Sequence, residues 1–232
     1  MQLGVIINVD IGAFFSLSSC KMSIPYLESY VLRLSLLVCL CIAVLTCYAI
    51  CWCMWGRKNP MKAFKQRTMT IKLLLATVLF LYPSICMKTF TSLRCKTLAP
   101  FVTTSGSLQL RVLSEDWSVD CDSSEYLFFL PLIYAVIIII VVGVPVGIFG
   151  VLAVNRKHLH NKESPQHHRV VMQYGSLFVP YDDEYWWFEV MVVLEKMILT
   201  GMLAVVGDGS PVQTLLALLT AFVYVNFYFN FF

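Results

Sequence analysis

Between Tyr126 and Val154 the chain carries no charged residue, and its centre reads AVIIIIVVGVPVGIFG. Its β-branched residues suit a strand, but the run is too long and too uniformly apolar for one. It fits a helix crossing the roughly 30 Å hydrocarbon layer of a bilayer, which needs about 20 apolar residues. Four more runs of this kind occur, at about Tyr30 to Trp55, Met69 to Phe90, Tyr185 to Val206, and from Val212 onward. Composition agrees, at 59% hydrophobic and 13% charged. Soluble domains run at roughly 45–50% apolar and about 25% charged, so a soluble globular domain is excluded. The expected fold class is an all-α membrane protein: a bundle of about five transmembrane helices with one disulfide-closed outer loop.

Residues 1–29 are expected to be an outer or interfacial segment, because Gly4 to Leu17 is apolar but short and Asp10 interrupts it. No basic region precedes an apolar core there, so the first span acts as its own insertion signal. Residues 30–232 form the bundle, with an outer loop at 91–125 and inner loops at 56–69 and 155–184. The last run ends AFVYVNFYFNFF without a basic anchor, which suggests a piece of something longer.

Charge sets the expected orientation. Arg57, Lys58, Lys62, Lys65, Arg67 and Lys72 lie in or beside the first inner loop. Arg156, Lys157, Lys162 and Arg169 lie in the second, so the two hold ten of the seventeen basic residues. By the positive-inside rule both are cytoplasmic and the N-terminus is outside. Loop 91–125 is then outside, where disulfides persist. Cys95 and Cys121 bracket it, and they are expected to form a bridge. Leu108, Leu110 and Val112 alternate with polar residues inside it, a short strand signal. Cys51 and Cys53, beside the first basic stretch, are candidates for S-acylation; the other cysteines of the first span read as small packing residues.

Chemistry concentrates at the run YGSLFVPYDDEYWWFEVMVVLEKMILTG, Tyr174 to Gly201. Three acids lead into an aromatic cluster of the kind found at bilayer interfaces. Glu189, Glu195 and Lys196 then fall within the helix, where ionisable groups need a partner, a wet cavity or a function. Adjacent helical positions point about 100° apart, so Glu195 and Lys196 do not simply pair. The choice lies between a buried packing network and an ion or proton pathway. Gly143, Gly147 and Gly150 form a small-residue face expected to admit a close helix neighbour. His158, His160, His167 and His168 raise a metal-site reading; a solvated basic loop is the simpler account, and no metal or cofactor is expected. Nor does any catalytic motif appear, so the chain is read as a non-enzyme. Expected partners are lipid, other membrane subunits or further copies of the chain, and not nucleic acid.

Four segments carry a family resemblance. INVDIGAFFSLSSC, the LYPSI around Tyr82 and Pro83, and LSEDWSVDC before the first long apolar run of the second half resemble the membrane region of large protist multi-pass surface proteins. That region is distantly similar to transient-receptor-potential and polycystin channels. Tyr174, Gly175, Pro180, Tyr181, Trp186, Trp187, Glu189, Lys196, Leu199 and Gly201 carry the fullest match. The resemblance spans roughly Ile7 to Gly201. It implies a channel-like, transport-related or sensory bundle, or a subunit of a larger complex, here without the large ectodomain of those proteins.

Overall fold

The computed structural model describes residues 26–56, 60–98, 101–103, 106–108, 110–159, 166–202, 206 and 210–231. Helix α1 (Tyr26–Cys51) ends in a π-helical turn (Trp52–Gly56) and is followed by α2 (Pro60–Thr91). Four short strands come next: β1 (Cys95–Thr97), β2 (Phe101–Thr103), β3 (Gly106–Leu108) and β4 (Arg111–Leu113). Helix α3 (Ser124–Val136) runs through a π-helical stretch (Ile137–Val142) into α4 (Gly143–Leu159). Then come α5 (His167–Phe178), a 3-10 turn (Asp183–Tyr185), and α6 (Phe188–Met197) with its π-helical extension (Ile198–Met202). Helix α7 (Pro211–Phe231) is last.

Among the described residues four helices are long and apolar enough to cross a membrane: Tyr26–Met54, Met61–Thr91, Ser124–Leu159 and Pro211–Phe229. The expected count was five. The stretch that makes the difference is α6, ten α-helical residues plus a five-residue π-helical extension, with Glu189, Glu195 and Lys196 breaking its apolar run. The expectation for residues 1–29 falls mostly on 1–25, outside the described residues; α1 itself begins at Tyr26. Another boundary moved as well. Helix α2 starts at Pro60, so most of the expected loop 56–69 is helical. Proline suits the first helical turn, where its missing N–H costs nothing, and Met, Lys, Ala, Gln and Arg are all good helix formers.

Helix α2 is the hub. It packs against α1, α5, α6 and the π-helical segments on either side. Tyr82 and Cys86 of α2 share one core with Val141, Ile148, Leu152, Leu177, Phe178, Trp186 and Val193. Leu81 and Ile85 share another with Leu37 and Val136. The outward faces are apolar: Ile138 and Ile139 are 68% and 70% exposed, Leu215 and Phe222 64% and 69%. Contiguous apolar exposure on this scale is abnormal for a protein surrounded by water and suits a lipid surround.

At one end of the bundle the strands form a nested antiparallel hairpin. Cys95 lies opposite Leu113 at its base, and Phe101 opposite Leu108 towards its tip. Strand β4 also pairs with the chain returning to α3, through Leu113 N–H to Val119 O (2.9 Å) and Cys121 N–H to Arg111 O (2.8 Å). This arrangement brings Cys95 and Cys121 together; they are disulfide-bonded, with Cα atoms 6.4 Å apart. Leu113, Cys121 and Tyr126 bury the hairpin base against Tyr26 and Leu27 of α1. Two tyrosines tie the helix ends: Tyr26 Oη bonds Thr91 Oγ1 (3.0 Å) and Ser92 Oγ (3.2 Å), and Tyr126 Oη donates to Ser92 O (2.9 Å). On the neighbouring turn, Ser118 hydroxyl and amide hold the Asp116 carboxyl below the usual range.

One buried hydrogen bond explains how the third apolar helix tolerates proline. Pro145 has no N–H to offer the carbonyl four residues back, which belongs to Val141, in the π-helical stretch. The Tyr82 hydroxyl donates to that carbonyl at 2.8 Å, from a side chain only 1% exposed. Tyr82→Phe is therefore expected to cost about 1–3 kcal/mol, the usual penalty for a buried polar group left unpaired. In a Pro145→Ala background, where the backbone regains its donor, the same change should cost much less. Unfolding titrations of the four proteins in mild detergent check this; equal costs in both backgrounds would count against it.

Candidate functional site: acids and tyrosines between α6 and α7

Helix α6 carries two acids, and Glu189 is turned toward a phenol. Tyr181, in the loop ahead of α6, donates its hydroxyl to Glu189 Oε2 at 2.7 Å. Burial first, then the Glu189 carboxylate, pushes the Tyr181 phenol above its ordinary range, so it remains a donor at any ordinary pH. Phe188 is 1% exposed and acts as the spacer. Its ring centroid lies 5.0 Å from Tyr181, 6.1 Å from Tyr224 and 6.5 Å from Tyr228. Tyr224 and Tyr228 are one helical turn apart on α7 and so share a face. Tyr224 lies within electrostatic reach of both Glu195 and Glu189. Three phenols thus surround Phe188 where α6 faces α7, with Glu189 bonded to one of them.

The three charged residues singled out on α6 have separate fates. Glu189 is half-buried and bonded, Glu195 is half-buried near Tyr224, and Lys196 is exposed. The 100° step between neighbouring positions accounts for the last difference. Oxygen-rich sites of this kind suit protons or small hard cations.

Cys95 and Cys121 pair as expected. The glycines do not pack as anticipated inside the chain. Among the described residues, a Cβ on Gly147 or Gly150 would meet nothing within 4 Å, and on Gly143 only the Ile138 carbonyl of its own helix at 3.4 Å. The close approach occurs at Gly201 instead, where a Cβ would lie 2.5 Å from Phe90 Cδ2. Of the histidines, His167 Nδ1 lies 2.8 Å from His158 O, which joins the end of α4 to the start of α5. His168 is exposed, and His160 lies outside the described residues. Among the described residues no three His, Cys, Asp or Glu side chains come together in a way that could hold a metal.

Tyr224, Tyr228 and Phe188 were not anticipated as site residues, and Tyr181 entered only through the resemblance. The available signal was the four-residue spacing of Tyr224 and Tyr228 within AFVYVNFYFNFF. No family model, curated protein or solved structure matches this chain.

Proposed function

We propose that the chain is an integral membrane protein, a channel-like or transport-related bundle in which Glu189 and Glu195 handle protons or small cations along the α6–α7 face. The supporting observation is the Tyr181–Glu189 hydrogen bond, set beside Tyr224 and a second carboxylate in an otherwise apolar helix. Ionisable groups in such surroundings are costly and mark pathways more often than they serve packing alone. In the same proposal the disulfide-closed hairpin faces the oxidising side, and the basic stretches around Arg67 and Arg156 face the cytoplasm. No enzymatic step is assigned to the chain.

Reconstitution into liposomes under a pH or cation gradient tests the reading. Wild type should dissipate the gradient well above protein-free liposomes. Glu189→Gln should slow it at least roughly tenfold if about 1.4 kcal/mol of site stabilisation is lost, and Glu195→Gln should also slow it. Lys196→Ala, on the exposed face, should act more weakly. Wild-type flux equal to that of empty liposomes would contradict the proposal.

A second reading, a structural or accessory subunit of a larger complex, draws support from two open surfaces. Among the described residues nothing lies within 4 Å of a Cβ placed on Gly147 or Gly150, and Leu215, Leu218, Phe222 and Phe229 of α7 are exposed. Gentle-detergent purification would then yield a stoichiometric assembly with other chains.

A further inference from the structure

Helices α4 and α6 enclose an open groove of about 280 Å³, lined wholly by apolar side chains. Val142, Pro145, Val146 and Phe149 form one wall, Val190 and Leu194 the other. Val142, Val146 and Phe149 are 51%, 62% and 47% exposed, so among the described residues nothing covers it. At one end the groove meets an aromatic step: the Phe149 and Trp186 ring centroids are 5.6 Å apart. The indole also carries a cation, with Arg156 Cζ 5.5 Å from the Trp186 ring centroid. Arg156 is seven residues from Phe149, hence on the same helix face and roughly 10 Å further along. Arg156 and Lys157 are both exposed. Among the described residues no ion pair engages Arg156, although Asp182 and Glu184 precede Trp186.

We propose that this groove is the binding site of an anionic phospholipid, with one acyl chain between α4 and α6 and the phosphate at Arg156 and Lys157. The order of the parts matches the ligand along its length. A wholly apolar trough suits the chain, an indole suits the glycerol and carbonyl level where Trp concentrates, and a guanidinium suits the phosphate, which it can engage bidentately. A second helix in the groove would account for the trough but not for a cation at its mouth. A soluble phosphate would account for the cation but not for the trough.

The test is retention of added lipid by the purified full chain, read by native mass spectrometry. The probes are phosphatidylglycerol, phosphatidylcholine with the same acyl chains, and glycerol 3-phosphate. Wild type should retain phosphatidylglycerol over phosphatidylcholine by roughly fivefold per basic residue engaged, and should not retain glycerol 3-phosphate. Arg156→Gln should reduce that preference several-fold, lowering phosphatidylglycerol retention more than phosphatidylcholine retention. Val146→Trp, which fills the trough from an exposed position, should weaken retention of both lipids. Equal retention of the two lipids by wild type overturns the proposal even if a variant fails to fold. So do an undiminished preference in Arg156→Gln, retention of glycerol 3-phosphate, and a lipid-independent dimer that covers Val146.

Discussion

Replacing both Cys95 and Cys121 by serine is expected to destabilise the hairpin end of the bundle by about 3–4 kcal/mol, the chain-entropy estimate for a loop of this size. The two cysteines are 26 residues apart in sequence. The hairpin base is held by Leu113, fully buried, and Val112, 2% exposed. The ion pair between Arg111 and Asp122, 3.2 Å long and exposed at both partners, adds little, since exposed pairs contribute about 0–1 kcal/mol. The bridge thus acts beside the Tyr126–Ser92 hydrogen bond and the β1–β4 pairing as a restraint between the hairpin ends of α2 and α3. Thermal unfolding of wild type with and without reductant should show the same loss as the double serine variant. If reductant leaves the transition unmoved, the bridge does not hold that end.

Gly201→Ala is expected to cost about 1–3 kcal/mol, the usual range for overpacking a filled site. An added Cβ would lie 2.5 Å and 2.9 Å from Phe90 Cδ2 and Cε2, and 3.4 Å from Cys86 Cβ. The first two separations are shorter than any ordinary carbon contact, so the Phe90 ring or the backbone must move. Cys86 is fully buried, which limits movement on that side. Gly201→Leu should cost more. Phe90→Ala should relieve part of the penalty, so the Phe90→Ala/Gly201→Ala protein should be more stable than the sum of the single changes predicts. A neutral Gly201→Ala in an otherwise unchanged chain would mean that α2 and the α6 extension are not in close contact.

These two sites show which parts of the molecule the residues announce. Cys95 and Cys121 were legible because topology and compartment chemistry act on a loop as a whole, and the strand alternation at Leu108 to Val112 is a local signal. Apolar helices were legible for the same reason, since length and uniformity do not depend on neighbours. Helix boundaries were less so: Pro60 to Thr68 reads as a charged loop by composition, while its propensities favour helix once a span follows. Packing glycines cannot be told from bystanders by spacing. Gly143, Gly147 and Gly150 have the regular spacing, yet Gly201 makes the close approach, because that depends on where Phe90 of another helix falls. Likewise Glu189 was visible as an acid in an apolar run, but its hydrogen-bond partner, Tyr181, is set by tertiary placement. The Tyr82 bond to the Val141 carbonyl belongs to the same class, although Pro145 marked the carbonyl that would need a donor.

The proposed topology puts the hairpin and the basic stretches on opposite faces of a membrane. Acceptor-site glycosylation in a eukaryotic host measures it directly, since the chain has no Asn-x-Ser/Thr sequence of its own. Asp116→Asn turns Asp116-Trp117-Ser118 into an acceptor within the hairpin loop, and Glu163→Thr turns Asn161-Lys162-Glu163 into one within the second basic stretch. The expected result is a glycosidase-sensitive mass increase for Asp116→Asn and none for Glu163→Thr. Modification of the Glu163→Thr protein, alone or together with the other, would contradict this topology.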